Sequence, residues 1–381
     1  MFWLNFLHFY QPPTASDEQV KEITKSCYQP WADFLLKNKK VKITLNITAC
    51  LTERLFSLGY GKLLKQFATL ARRGQIEFVE SAAFHPILPL LPDKEIIKQI
   101  QINHDINSRR LGSSYQPRGF FPPEMAHNHR LAKIIKKLGY HYLLLDSLAL
   151  PAKIGNHYHY QIKNNGLSVI FRDRSLSQTF VPESLMNIFS PQKNSASVII
   201  TATDGELYGH RHESWQDIYL QAINIPHLKT VTASEYLASS KITRPITPLT
   251  SSWETTPREL KLNQPFNLWA NPQNKIHRLL WQLADFALQL NYQHSGDPHH
   301  FSSRLHLERG LASCTFWWAS GHDFKLFGAP AWNPEEVEKG ALELIRSVRT
   351  LTGISSLQKI KAERIFLKIH QAIWFTHWRT K

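Results

Sequence analysis

The strongest constraint on this chain is a rhythm in its first two-thirds. Short runs rich in apolar, β-branched and aromatic residues alternate with amphipathic helical stretches, and almost every run ends on a polar or charged side chain. Such alternation specifies a parallel α/β protein, because parallel neighbours need a crossover between them and the crossover is usually a helix. Strands are predicted over residues 3–7, 41–47, 76–79, 119–121, 142–145, 168–171, 198–203 and 230–232. They lead into His8/Tyr10/Gln11, Asn46, Glu80, Glu124, Asp146, Arg172-Asp173, Asp204 and Ser234/Glu235. In a β/α barrel all strand carboxyl ends share one rim, where side chains from several strands meet. A doubly wound sheet would gather them at one switch point, and no glycine-rich phosphate loop follows the first strand here. The expectation is a β/α barrel.

After about residue 250 the pattern turns helical. Ile276, Leu280, Leu283, Ala287 and Leu290 form an apolar stripe over residues 274–292. Asn333-Pro334-Glu335-Glu336 combines an N-cap, a proline at the first helical position and acids in the first turn. That helix should run to about 351, with Gly353 beyond it and a last helix over 357–378. Earlier, Pro92-Asp93-Lys94-Glu95 opens a helix, and another over 126–138 ends at Gly139. The chain therefore divides into a barrel, residues 1–250, and a C-terminal helical region, residues 251–381, that contributes to the cleft.

Composition narrows the class. Hydrophobic residues are 43% and charged residues 20% of 381, which excludes a disordered or collagen-like chain. The three cysteines, Cys27, Cys50 and Cys314, are too few and too scattered for a disulfide framework or a thiolate zinc site. The apolar start, residues 1–8, lacks a basic head and a cleavage site and is too short to span a bilayer, so it reads as a buried strand of a cytoplasmic protein. Forty-five Lys and Arg against 30 Asp and Glu give +15 and a pI near 9.6. The basic residues are dispersed as pairs, such as Lys39-Lys40, Arg72-Arg73, Arg109-Arg110 and Lys136-Lys137, without a nucleic-acid-binding signature. They read as a solvated basic surface, with no nucleic-acid or membrane partner.

Two carboxylates stand out. Glu124 sits in Gly-Phe-Phe-Pro-Pro-Glu-Met-Ala-His-Asn, residues 119–128, where a short strand passes through two prolines into a helix. Asp204 ends a strong buried strand and opens Asp-Gly-Glu-Leu-Tyr-Gly-His, residues 204–210. Singly, Glu124 could complement a helix dipole and Asp204 could cap a turn. Projecting at one rim, they would supply the two carboxyl groups that glycoside cleavage requires.

In these stretches the sequence resembles glycoside hydrolase family 57, the α-glucan-active amylases, 4-α-glucanotransferases and branching enzymes. Five segments follow the family's order: Leu7-His8-Phe9-Tyr10-Gln11-Pro12-Pro13; 74–80 continuing to 85–89; 119–128; 203–210; and 307–320 with Cys314-Thr315-Phe316-Trp317-Trp318. The resemblance implies an irregular seven-stranded (β/α) barrel, Glu124 as nucleophile and Asp204 as general acid/base of a retaining mechanism, and no cofactor or metal. Tyr10 stands where the family commonly has a second histidine, and Glu80, His85 and Trp317-Trp318 also depart from the well-known amylases and branching enzymes. These departures point to a separate branch and bear on specificity more than on chemistry.

The expected sugar-binding residues are His8, Tyr10, Gln11, His85, His210, Trp253, Trp269, Trp317 and Trp318, with indole faces and N–H groups suited to sugar rings. Arg172-Asp173 reads as a strand-end ion pair. Histidines recur as His127/His129, His157/His159 and His210/His212. With Asp204 they raise the alternative of a metal-dependent polysaccharide deacetylase, which would leave Glu124 unexplained. A non-catalytic carbohydrate-binding protein is the third reading, although such a protein should have lost one of the two acids.

Overall fold

The structure, a computed structural model, describes residues 1–151, 159–188, 198–239, 243–321 and 329–379. Ten strands lie among them. They are β1 (Phe2–Phe9), β2 (Ile43–Ile47), β3 (Ile76–Phe78), β4 (Gly119–Phe120), β5 (Tyr142–Asp146), β6 (His159–Ile162), β7 (Ser168–Arg172), β8 (Val198–Asp204), β9 (Lys229–Val231) and β10 (Thr243–Ile246). One sheet runs β3-β2-β1-β8, with β9 also pairing β1; the other runs β10-β6-β7-β5-β4. All pairings are parallel except β6 with β7. At one end Glu80 donates its N–H to Gly119 O at 2.9 Å and its carbonyl accepts from Phe121 N at 2.8 Å, joining the β3 and β4 edges. At the other, Asp173 N donates to Ile200 O at 2.7 Å, joining β7 and β8.

The eight expected strands are present, and two others lay outside the prediction. A tight turn through Asn164 and Gly166, both at positive φ, folds β6 back on β7. β10 is an edge strand carrying Pro245, a residue that argues against a strand in sequence and is tolerated only where no ladder partner needs its nitrogen.

The pleat sorts the strand residues by face. On β1, Trp3, Leu7 and Phe9 join an outer core with helical residues such as Trp31, Phe67 and Tyr219, whereas Leu4 and Phe6 join an inner core. The same inner core takes Ile200 and Ala202 from β8, Tyr142 and Leu144 from β5, and Ile170 from β7. Because side chains alternate, the next inward positions on these strands are His8, Asp204, Asp146 and Arg172. Sequence alternation thus places four polar groups directly above an apolar floor.

The backbone divides into two compact units: Met1–Gln11, Ala15–Ala83 and Leu88–Trp253 form the first, and Pro12–Thr14, Phe84–Ile87 and Glu254–Lys381 the second. The second is helical, with Lys275–Gln293, His300–Gly310, Pro334–Thr350 and Ser356–Arg379 as its long members. Asn274 and Asn333 cap two of them with their side-chain oxygens. Ser303 Oγ donates to Ser347 O at 2.7 Å and Asn291 Nδ2 to Ser347 Oγ at 3.0 Å, so three helices share a buried polar cross-link. No helix among the described residues is long and apolar enough to cross a membrane.

Gly119 on β4 is fixed by packing. A Cβ there would lie 2.0 Å from the Tyr142 ring, and that ring is pinned because Tyr142 OH donates to Glu77 Oε1 at 2.6 Å. Glu77 in turn accepts from Ser234 N and Oγ at 2.8 and 2.6 Å. Gly119→Ala should therefore cost at least about 1–3 kcal/mol in urea unfolding; a loss below about 0.5 kcal/mol would show that the ring can yield.

Candidate active site

The polar layer above the inner core starts with register. His8 lies opposite Asn46 on β2 and Asp204 on β8, and Asp146 on β5 lies opposite Arg172 on β7. His8 Nδ1 sits 2.8 Å from Asn46 Oδ1, which can only accept, so Nδ1 carries the proton and Nε2 presents a lone pair. Burial lowers the pKa of His8, against the opposing pull of Asp204 and Asn46, and favours a neutral imidazole. Its ring stacks with Tyr10 at 5.7 Å and contacts Phe121 at 4.8 Å.

Glu124 is held in an unusual backbone. It has φ 59° and ψ 18°, and Met125 follows at φ 48°. Left-handed non-glycine residues cost roughly 1–3 kcal/mol each and persist only where neighbours over-determine them. Here the neighbours are residues 251–253. His127 N donates to Ser251 O at 2.8 Å, Ser251 N to His127 O at 3.2 Å and Trp253 N to Glu124 O at 2.9 Å. The indole Nε1 of Trp253 then donates to Glu124 Oε2 at 2.7 Å. One residue thus grips both the backbone and the carboxylate of Glu124.

Trp253 is itself clamped. Only 7% exposed, it has the Arg172 guanidinium 4.9 Å over its ring, and its carbonyl accepts from Arg174 Nη2 at 2.8 Å. Arg172 Nε donates to Asp146 Oδ2 at 2.7 Å and Nη1 to Ala202 O at 2.9 Å. The expected Arg172-Asp173 ion pair is replaced by Arg172–Asp146, because consecutive strand residues face opposite ways. Asp173 instead caps the helix Arg174–Ser177 by accepting from Leu176 N. The chain Asp146–Arg172–Trp253–Glu124 links β5 and β7 to the strained turn.

Asp204 ends β8 with an exposed side chain, followed by Gly205 and Glu206. Glu206, half-buried, accepts from Gln11 Nε2 and has Tyr28 as a further hydrogen-bond partner. Burial first, and the charge of Asp204 second, push its pKa from 4.5 up to about 8, with Arg211 opposing. The loop rests on a π-helical turn, Thr24–Tyr28, set between the helices Asp17–Ile23 and Gln29–Lys37. Such π-turns frequently occur at functional sites. Cys27 Sγ donates to Gly205 O at 3.0 Å. Gly209, at φ 105°, approaches Ser26 so closely that a Cβ would lie 1.9 Å from its carbonyl oxygen.

His8, Tyr10, Gln11, Glu124, Asp204, His210 and Trp253 all belong to the first unit. His210 is exposed on the loop after Glu206, and its neighbour in the spacing pattern, His212, stacks on Phe180 at 3.9 Å. His85, Trp269, Trp317 and Trp318 belong to the second unit. There His85 Nδ1 lies 3.0 Å from Ser313 Oγ. Trp269 is fully buried, and Trp317 and Trp318 form an edge-on pair at 4.6 Å. The paired histidines diverge: His127 is buried, with its pKa pushed down to about 3 chiefly by burial, while His129 is exposed to a greater degree. His159 lies 2.7 Å from Ser168 Oγ, and His157 falls outside the described residues. Among the described residues no three His, Cys, Asp or Glu side chains group to hold a metal ion.

Residues that the sequence did not single out are Asn46 as the partner of His8, Arg174, and the Cys27–Tyr28 support. Glu206 was visible, two positions after Asp204, yet its environment depends on Tyr28 from a distant part of the chain. No sequence signal marks the π-turn.

The comparisons with known proteins agree with this architecture. The profile of Glycosyl hydrolase family 57 matches residues 4–248, and the chain belongs to that family. Alpha-amylase 1 of Dictyoglomus thermophilum is 23% identical over 225 residues, 56% of this chain and 32% of that protein. An alpha-amylase of Pyrococcus horikoshii is 24% identical over 220 residues, 54% of this chain and 34% of that protein. The matched region thus spans about a third of these curated relatives. Among solved structures, the GH57-type branching enzyme from Pyrococcus horikoshii superposes with a TM-score of 0.70 at 18% identity, covering 99% of this chain and 96% of that one. The 4-alpha-glucanotransferase from Thermococcus litoralis gives 0.69 at 19%, covering 92% and 58%. At such identities the likeness is one of α/β fold.

The acidity of Glu206 has a consequence for stability. Between pH 4.5 and about 8 the native protein holds a proton on Glu206 that the unfolded chain has released, so this group lowers stability as pH rises through that window. Glu206→Gln removes the linkage. Thermal unfolding across this range should show a shallower fall in Tm for the variant, and equal slopes would contradict the assignment.

Proposed function

We propose that this chain is a retaining glycoside hydrolase or transglycosylase acting on α-1,4-linked glucans, with Glu124 as nucleophile and Asp204 as acid/base. The observation that carries the reading is the grip of Trp253 on Glu124: a carboxylate is held on a strained turn by an indole 2.7 Å away. The same indole meets the ring of His8 in a T-shaped pair, centroid to centroid 6.2 Å, and the register partner of His8 is Asp204. Strain maintained by this many bonds, in a unit that also carries an exposed acid at the end of β8, is the kind of pre-organisation catalysis requires. Family membership supports a glycoside-cleaving or transferring chemistry. We also propose that β1, β2, β3, β4, β5, β7 and β8 close as one irregular seven-stranded barrel, with the Glu80–Gly119 and Asp173–Ile200 bonds as the two seams.

In the first step a Glu124 oxygen attacks the anomeric carbon as the glycosidic C–O bond breaks, and Asp204 passes a proton to the departing oxygen. In the second, Asp204 takes a proton from water or from a sugar hydroxyl, which attacks the same carbon and releases Glu124 with net retention. His8 serves this chemistry as a neutral hydrogen-bonding group. Glu206 remains largely protonated at neutral pH, which limits the negative charge beside Asp204. Trp253 positions Glu124 through its N–H.

Product analysis with maltooligosaccharides and amylose tests the assignment. Asp204→Asn should lose about 10²–10⁴-fold in turnover, and Glu124→Gln at least as much, with unchanged thermal unfolding. Full activity in both variants would refute the residue assignment, and an intact protein inert on every glucan would refute the substrate class.

A further inference from the structure

One edge of β1 is shared by two strands. β2 pairs with residues 6–9 of β1 and β9 pairs with residues 2–4. The chain entering β2 must therefore diverge from β1, and β9 fills only part of the gap. Thr230 stitches the split, accepting from Lys42 N at 2.9 Å and donating to Lys40 O at 3.4 Å. Around the remaining wedge lies a cavity of about 1070 Å³, near the upper end of the size usual for small-molecule sites.

Its charge is one-sided. Lys37, Lys39, Lys40, Lys42 and Lys229 line it, with Glu235 as the one acid among its lining residues. Glu235 is already committed, to the Lys42 ammonium and to Thr232 N at 3.1 Å. Lys37, Lys39, Lys40 and Lys229 have no ion pair among the described residues. Four ammonium groups around one concavity repel one another modestly in water, and together they attract a multiply charged anion. The lining is not only basic. Phe2, Leu228 and Val231 supply an apolar wall, which a bare inorganic anion would leave unused. Neutral glucan matches the apolar wall and offers hydroxyl acceptors, but it brings no negative charge to balance the cations.

We propose that this cavity binds a phosphorylated small molecule with a ring body, its phosphoryl groups among the lysines and its ring against Phe2, Leu228 and Val231. Nucleoside diphosphates and sugar bisphosphates share that chemistry, and the experiment separates them. The site is distinct from the candidate active site: Phe2 and His8 lie six positions apart on β1, roughly 20 Å along an extended strand. It also gives a role to the Lys39-Lys40 pair and part of the +15 charge that a neutral substrate leaves unexplained.

Isothermal titration of the full chain with ADP, glucose 1,6-bisphosphate and inorganic phosphate is the test. At low salt one or both organic phosphates should bind, more tightly than phosphate alone by at least about tenfold, and binding should weaken as salt is raised. The Lys39→Glu/Lys40→Glu double variant and, separately, Lys229→Glu should each weaken binding at least about tenfold, with thermal unfolding and any glucan turnover unchanged. Binding of ADP alone identifies a nucleotide site and binding of the bisphosphate alone a phosphosugar site. No binding, equal affinity for inorganic phosphate, or affinity indifferent to both charge reversals would overturn the proposal. Since none of these outcomes depends on Glu124 or Asp204, the test stands apart from the glycosidase assignment.

Discussion

The alternation of side chains along the parallel strands governs the first unit. Leu4, Phe6, Tyr142, Leu144, Ile170, Ile200 and Ala202 fill an inner core, and two residues further along their strands the same face carries His8, Asp146, Arg172 and Asp204. A slip of one residue in the β1–β8 ladder would send a polar or charged group into the outer aromatic core around Trp31, Trp215 and Tyr219 and would bring an apolar one to the rim. Burial on both faces makes that slip costly, so the hydrophobic effect that builds the core also fixes the register of the polar layer. β1 is the reference strand, because β2, β8 and β9 all pair with it.

Above that floor the polar groups are stabilised by one another. A buried Asp146 carboxylate facing only apolar residues would be severely destabilising, yet here it receives Arg172 and Arg174 and the N–H of Leu148. Arg172 then supports Trp253, and Trp253 supports a turn that would otherwise relax out of the left-handed region. Elsewhere in the first unit, Asp204 stands on a loop seated on the π-turn. Phe9 and Ser26 leave space only for glycines at 205 and 209 to approach, and Cys27 bonds the carbonyl of Gly205. The two carboxylates thus have different environments, one gripped by an indole and one exposed beside a protonated neighbour.

Much of this is legible in the sequence, because patterning carries it. The eight apolar runs became strands, and helices begin after Asn274, Asn333 and Pro92, where the start signals stand. Asp204 is visible because it ends a strong apolar strand, and Glu124 because it follows a short strand and two prolines ahead of a helix. What escaped prediction rests on a local turn, on a proline in an edge strand, or on partners far away in the chain. β6 depends on a turn at Asn164–Gly166 and on β7, and β10 contains a proline that local rules count against it. The Arg172–Asp146 pair spans 26 positions and the Trp253–Glu124 bond 129, beyond the reach of any periodicity. The sequence marks Trp253 as an aromatic surface for sugar; the hydrogen bond from its indole N–H to the Glu124 carboxylate has no sequence signal.

The central claim is that Glu124 forms a covalent bond to sugar. A 5-fluoro-α-glucosyl fluoride, or its maltosyl analogue, slows the second displacement and lets the intermediate accumulate, so intact-mass and peptide mass spectrometry read the nucleophile directly. The expected result is one added fluoroglycosyl mass on the peptide containing Glu124, released on adding an acceptor glucan. A stable label on another carboxylate, or turnover of the reagent by an active protein with no covalent adduct at any stage, would contradict it.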